Sequence, residues 1–215
     1  MKKENIIKII TLVFNLFVFV SGITILFYIL IYGYGTPADG PLGLHFYYLE
    51  FFTVLSNVYA AVVAGIIFFY LLKNVKKEEI ELSKKLTYLH LSSATSLALT
   101  ALTVICFLGP TQGFAIMYKE DMFLYHLFNP VLVVASFILL KKPHLTIKES
   151  IIGIIPMVLY GIVYSSTVLT HTWEDFYGFT FGGNWWTILI VLPIMICVTF
   201  LISLGLTLLS NLRQK

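Results

Sequence analysis

The sequence predicts an all-α integral membrane protein, a bundle of six transmembrane helices with both termini in the cytoplasm. Three observations predict it. Six apolar stretches cover residues 6–32, 46–72, 86–108, 122–140, 151–169 and 186–209. A bilayer core about 30 Å thick needs about 20 helical residues, and the stretches match that length. Thirteen of the 14 Lys and Arg residues flank the same alternating ends of these stretches, and only Lys119 lies on the other side. The positive-inside rule makes the crowded side cytoplasmic, and an even number of spans returns both termini to it. Hydrophobic residues make up 59% of the chain and charged residues 12%, far from the balance of a soluble domain.

The first stretch begins among Lys2, Lys3 and Lys8. It is longer than the apolar run of a signal peptide and no small-residue cleavage site follows it, so it reads as the first span. The second ends in the loop KNVKKEEIELSKK, a solvated charged turn. The third carries His90 and a run of Ser92, Ser93, Thr95, Ser96, Thr100 and Thr103, small hydroxyl residues that let membrane helices pack closely. The fourth contains HLFNP, where Pro130 removes one backbone bond and frees the His126 carbonyl. It stops near Lys142-Pro143. The fifth and sixth are joined by HTWEDFYGFTFGGNWW, which mixes aromatics, glycines and acids and reads as an interfacial anchor or a lid. The other outer loop, residues 33–45, is rich in Gly and Pro. With 215 residues the loops are short, and residues 1–215 form a single transmembrane domain. The net charge of +3 matches basic loops against anionic lipid head groups and gives no reason to expect a nucleic-acid partner. Cys106 and Cys197 lie inside apolar runs and read as free thiols. No Gly-rich phosphate loop, Walker motif or CxxC pair is present.

Polar residues at bilayer depth carry the functional signal, because they are costly there unless they face a bundle interior or a cavity. Glu50, Thr53, Ser56 and Asn57 are spaced three and four apart, which predicts one stripe on one helix face. His126 and Asn129 share a face of the fourth span. Thr53 and His126 lie roughly 11 and 6 Å below the same membrane face at 1.5 Å per residue, close enough to meet if their helices touch. A hydroxyl and an imidazole are the minimum set for a nucleophile and its general base. On the fifth span Pro156, Tyr160, Tyr164, Thr167 and His171 recur at helical spacing, so the outer half gathers most of the buried polar groups. Asn57 or Asn129 would suit an oxyanion, and Glu50 would orient His126 or His171.

FFTVLSN on the second span, HLFNP on the fourth and PMVLYGIVY on the fifth together resemble the androgen-induced, FAR-17a-type membrane proteins and their bacterial relatives. The resemblance extends roughly over residues 46–186. It implies a helical bundle with cytoplasmic termini and an intramembrane threonine hydrolase that cleaves fatty acid esters of hydroxy fatty acids. It places the nucleophile at Thr53 and the histidine at His126. It implies membrane lipids as partners, a lipid ester as substrate, no metal and no cofactor, and a bacterial plasma membrane as the location. A remote six-span group uses a cysteine nucleophile for acyl transfer, but no Cys stands at position 53 here.

Two other readings use the same residues. Glu50, His126 and His171 also suit a small transporter or a proton- or ligand-binding protein, although no inverted repeat is visible. His126 and His171 also suit haem or metal ligation, without a recognisable spacing signature.

Overall fold

A computed structural model describes residues 3–33 and 37–214. The termini with Lys2 and Lys215, and residues 34–36 of the first outer loop, lie outside the described residues. The described chain is helical, with no strand. We number the helices α1 (Lys3–Tyr32), α2 (Phe52–Lys73), α3 (Lys84–Gln112), α4 (Leu124–Leu139), α5 (Ile147–Leu169) and α6 (Trp185–Arg213). Five of them, all but α4, are long and apolar enough to cross a membrane. That marks a multi-pass membrane protein. α4 is apolar but shorter than the other helices: a turn in which Met122 N–H donates to the Lys119 carbonyl precedes it, and Leu140 is extended.

Helix α3 is central and packs against α2, α4, α5 and α6, while α1 lies against α2 and α4. Its small residues explain the position. Ala94, Thr95, Ser93 and Ser96 are buried, and their hydroxyls donate back to their own helix, Thr95 to the Leu91 carbonyl at 2.8 Å and Ser96 to that of Ser92 at 2.8 Å. These hydroxyls are thereby satisfied while neighbouring helices approach. One core is built on α3, with Leu91, Ala94 and Leu97 against Val18, Ala60, Ala64, Val133, Phe137 and Leu206. The outward faces are apolar, as lipid requires: Phe27, Leu189 and Leu201 are more than half exposed.

Two helices widen locally for the same reason. In α3 the Gly109 N–H reaches back to Val104 O, and in α4 the Asn129 N–H reaches Leu124 O, five residues back instead of four. Each π-turn ends just before a proline, Pro110 or Pro130. A proline ring collides with the carbonyl four residues earlier, here that of Cys106 or His126, and an added residue in the turn relieves the collision.

The basic loops meet at one end of the bundle. Lys8 Nζ on α1 donates to the Val75 and Lys77 carbonyls at 3.0 and 2.6 Å. Lys141 pairs with Glu79 at 2.6 Å, and Leu82 N–H donates to Lys141 O at 3.0 Å. The Asn211 side chain near the end of α6 donates to the Leu145 carbonyl at 2.7 Å and accepts the Leu145 N–H at 3.2 Å. A capping box of Thr146 and Glu149 starts α5.

The second span departs from expectation at Glu50. Residues Phe46–Glu50 form a separate 3-10 turn, Phe51 is extended (φ −84°, ψ 130°), and α2 begins only at Phe52. The run of aromatics suits this break. Phe51 leaves the helix path to pack on Phe176 with ring centroids 4.4 Å apart. Glu50 therefore does not share a helix face with Thr53, Ser56 and Asn57.

Candidate functional site

A cavity of about 650 Å³ opens near the end of the bundle opposite the basic loops. Its side walls are Leu102, Cys106 and Phe107 of α3 and Met195 and Val198 of α6. Leu102, Phe107 and Val198 are exposed on the outer face of the bundle, so the mouth opens sideways toward lipid. Phe52, Thr53, Thr100 and Tyr160 form its polar end, and Tyr177, Phe179 and Phe181 of the loop between α5 and α6 form its roof.

The roof is organised by one carboxylate. Asp175 Oδ1 accepts from the Tyr164 hydroxyl at 2.7 Å and the Phe179 N–H at 2.8 Å. Its Oδ2 accepts from the Thr180 N–H at 2.7 Å and the Thr180 hydroxyl at 2.5 Å. Burial raises the Asp175 pKa, but the bonds from Thr180, Tyr164 and Phe179 outweigh it and hold the carboxyl below its ordinary value. Gly178 supplies the positive φ of 70° that turns the chain inward. The loop thus carries Tyr177 over the start of α2. The first N–H of that helix has no side-chain cap, and Tyr177 provides the partner: its oxygen accepts the Phe52 N–H at 3.1 Å. The Thr53 and Tyr160 hydroxyls neighbour the same oxygen. Burial is the main reason the Tyr177 phenol is pushed up to about 12, so it is a neutral hydroxyl.

The expected site residues fall into three groups. Thr53 and Tyr160 line the cavity, and the Tyr160 hydroxyl donates to the Glu50 carbonyl at 2.8 Å. Glu50 thus meets the site through its backbone. Its carboxyl titrates above its ordinary value, first through burial and then through Asp39 and Glu174. Tyr164 lies behind the roof, where its oxygen also accepts the Tyr177 N–H at 3.0 Å.

The second group binds helices together. Asn57 Nδ2 donates to the Thr53 carbonyl at 2.9 Å and the Tyr125 carbonyl at 3.1 Å. Asn129 Nδ2 donates to Asn57 Oδ1 at 3.2 Å, and the Ser21 hydroxyl donates to Asn129 Oδ1 at 2.9 Å. This chain joins α1, α2 and α4. Both Asn57 protons are committed to carbonyls, which takes this amide away from an oxyanion role.

The third group stands apart from Thr53. His126 is buried outside the cavity lining, and among the described residues no hydrogen bond joins it to Thr53. Its Nδ1 lies 2.5 Å from the Met117 carbonyl. A carbonyl only accepts, so Nδ1 carries the proton, and Nε2 of the neutral ring is the basic nitrogen. His171 lies beyond the end of α5, exposed, at φ 57°. The expected α5 stripe therefore ends before it, because the helix closes at Leu169. Among the described residues no three His, Cys, Asp or Glu side chains gather to hold a metal ion. Cys106 and Cys197 are free.

Sequence reasoning missed Tyr177 as a site residue. The available signal was the mixture of aromatics, acids and glycines in its loop, which pointed to a lid without naming the residue that reaches inward. Comparison with protein-family models, curated proteins and solved structures returns no match for this chain.

Proposed function

We propose that this protein spans the membrane six times, with α4 as the sixth span and both termini cytoplasmic, and that it hydrolyses a fatty acyl ester taken from the bilayer. The observation that carries this reading is the cavity, apolar along its walls, open sideways to lipid and ended by the Thr53 hydroxyl. An acyl chain entering from the hydrocarbon leaves its ester at Thr53. Thr53 Oγ attacks the carbonyl carbon, and the leaving alcohol takes the proton that Oγ loses. Water then cleaves the acyl-threonine and restores the hydroxyl. His126 is the general base, acting through an intervening water, with its Nε2 free to accept. Its neighbour Tyr125 is tied to the Thr53 turn through Asn57.

A second reading has its own observation. The neighbour of the Thr53 hydroxyl is a neutral phenol, Tyr177, rather than an imidazole. That arrangement suits a protein that binds or carries a lipid without reacting with it.

The experiment is turnover of long-chain fatty acyl esters by the purified protein, with labelling by a fluorophosphonate. Activity and labelling that disappear in Thr53→Ala and His126→Ala, with thermal unfolding unchanged, support the hydrolase. Residues acting as one unit are non-additive, so the double variant is scarcely worse than either single one. Undiminished hydrolysis by Thr53→Ala would sink the threonine mechanism and leave the binding reading.

A further inference from the structure

The polar end of the cavity holds hydroxyls and no cation. Among the described residues that line it, none is Lys, Arg or His. Two of the hydroxyls are already committed. Thr100 donates to the Ser96 carbonyl at 3.2 Å and sits 3.0 Å from the Ser56 hydroxyl. Tyr160 donates its proton to the Glu50 carbonyl. Tyr177 differs: its oxygen accepts the Phe52 N–H beside the Thr53 and Tyr160 hydroxyls, and among the described residues no backbone carbonyl is bonded to its hydroxyl. It lies in the cavity wall beside Thr53.

We infer that Tyr177 is the residue that recognises the ligand's head, its hydroxyl and that of Thr53 donating to a neutral acyl carbonyl whose chain lies in the cavity. This rests on the reading of the cavity as an acyl site, and it holds for a hydrolase and a carrier alike. The chemistry of the wall selects the neutral carbonyl over a free carboxylate. A carbonyl oxygen is satisfied by two hydroxyl donors. A carboxylate brought into an apolar cavity needs a cation or a full set of charge-assisted bonds, and burying it without them is strongly unfavourable. Asp175, a fixed charge at the roof, accepts from the Tyr164 hydroxyl and repels a second anion. For an ester hydrolase the same feature expels the acid product.

The position of Tyr177 is well supported. Its N–H donates to Tyr164 and its ring packs on Tyr164 and Phe176 at centroid distances of 5.4 and 4.8 Å. Tyr177→Phe therefore keeps the packing and removes the hydroxyl, and with it the acceptor of the Phe52 N–H; the alkane arm reports any general disturbance of the cavity.

The test measures binding without turnover. The full chain in lipid nanodiscs is titrated with a brominated long-chain methyl ketone, the matching carboxylic acid in its ionised form and the matching alkane. Quenching of Trp173, Trp185 and Trp186 fluorescence reports occupancy. Wild type is expected to prefer the ketone. Tyr177→Phe should weaken ketone binding about three- to tenfold, the worth of one neutral hydrogen bond, and leave the alkane unchanged. Thr53→Val, which keeps the side-chain shape, should give a similar loss from the other donor. Equal ketone affinity in wild type and Tyr177→Phe, acid binding as tight as ketone binding, or no specific ketone binding at all would each overturn the inference. Tyr177-dependent ketone binding without ester turnover keeps it and ends the hydrolase reading. Ester turnover that depends on Thr53, with ketone binding indifferent to Tyr177, does the reverse.

Discussion

The two ends of this bundle use the same kinds of residue for opposite purposes. At the basic end hydroxyls and amides close on one another. Ser150 donates to Thr207 at 3.0 Å, Ser203 donates to the Ser150 carbonyl at 2.7 Å, and Asn211 holds Leu145. Side chains of the neighbouring helices press so closely there that a Cβ on Gly153 would lie 2.2 Å from Ser203 Oγ and 2.7 Å from Thr95 Oγ1. At the aromatic end the helices are broken or widened, a cavity separates α3 from α6, and Thr53 and Tyr177 line it. The difference teaches where to look for function in a membrane bundle. Polar residues alone do not mark the site. Polar residues whose bonding capacity is not exhausted by neighbouring helices do.

The comparison breaks most readily at its tightest point. Gly153→Ala should destabilise the protein by about 1–3 kcal/mol, because backbone and side chains must move to admit the methyl group. Cys106→Leu, which adds bulk at the cavity wall, should stay within about 0.5 kcal/mol and instead obstruct ligand binding. Unfolding in detergent–denaturant titrations compares the two, and equal losses would remove the distinction between a packed end and an open one.

Asn57→Leu comes next. It removes the bonds to the Thr53 and Tyr125 carbonyls and the acceptor for Asn129, and interhelical bonds in bilayers are each worth about 0.6 kcal/mol on average. A loss of roughly 1–2 kcal/mol in the same titration is expected. No loss would mean that the Asn chain does not join the helices energetically.

A pH-dependent test addresses the basic end. Lys142 is 2% exposed, and its ammonium group donates to the Phe137 and Leu140 carbonyls at the end of α4. Burial, and then Arg213, lower its pKa to about 7. The unfolded chain therefore binds the extra proton between about pH 7 and the ordinary lysine value, and folding gains stability as pH rises through that window. Relative to Lys142→Met, wild type should gain melting temperature from neutral to alkaline pH and hold a constant offset in acid. A pH-independent difference would contradict the depressed lysine. The smallest effect belongs to the exposed Lys141–Glu79 pair: Lys141→Ala should leave the melting temperature unchanged within error.

Much of this architecture was legible in the sequence because it follows from periodic physical constraints. Apolar length located the helices, and lysine placement located the end where the loops meet. Pro130 announced a disturbance in α4, realised as a π-turn. The break at Phe51 was not legible, since FYYLEFF is as compatible with a helix as with a turn, and the choice depends on Phe176, far away in the chain. Thr53 and Tyr160 stood out as polar groups in apolar runs, and both line the cavity. The same signal selected Asn57 and Asn129, because spacing cannot distinguish a residue bonded to the next helix from one facing a ligand. His171 had the right spacing but lay past the helix end. The mixed composition of its loop did not single out Tyr177, as its role arises only when that loop folds over α2.

The short fourth helix has a consequence for how the chain enters the membrane during synthesis. At 1.5 Å per residue α4 reaches roughly 24 Å, less than a core about 30 Å thick, and it also carries His126, Asn129 and a proline. Such a segment partitions poorly into lipid by itself. The groups that satisfy it, Ser21 on α1 and Asn57 on α2, belong to helices that leave the ribosome earlier. In the proposed six-span arrangement the order of helices along the chain is then also an order of assembly: the surface that receives Asn129 is already formed when α4 emerges.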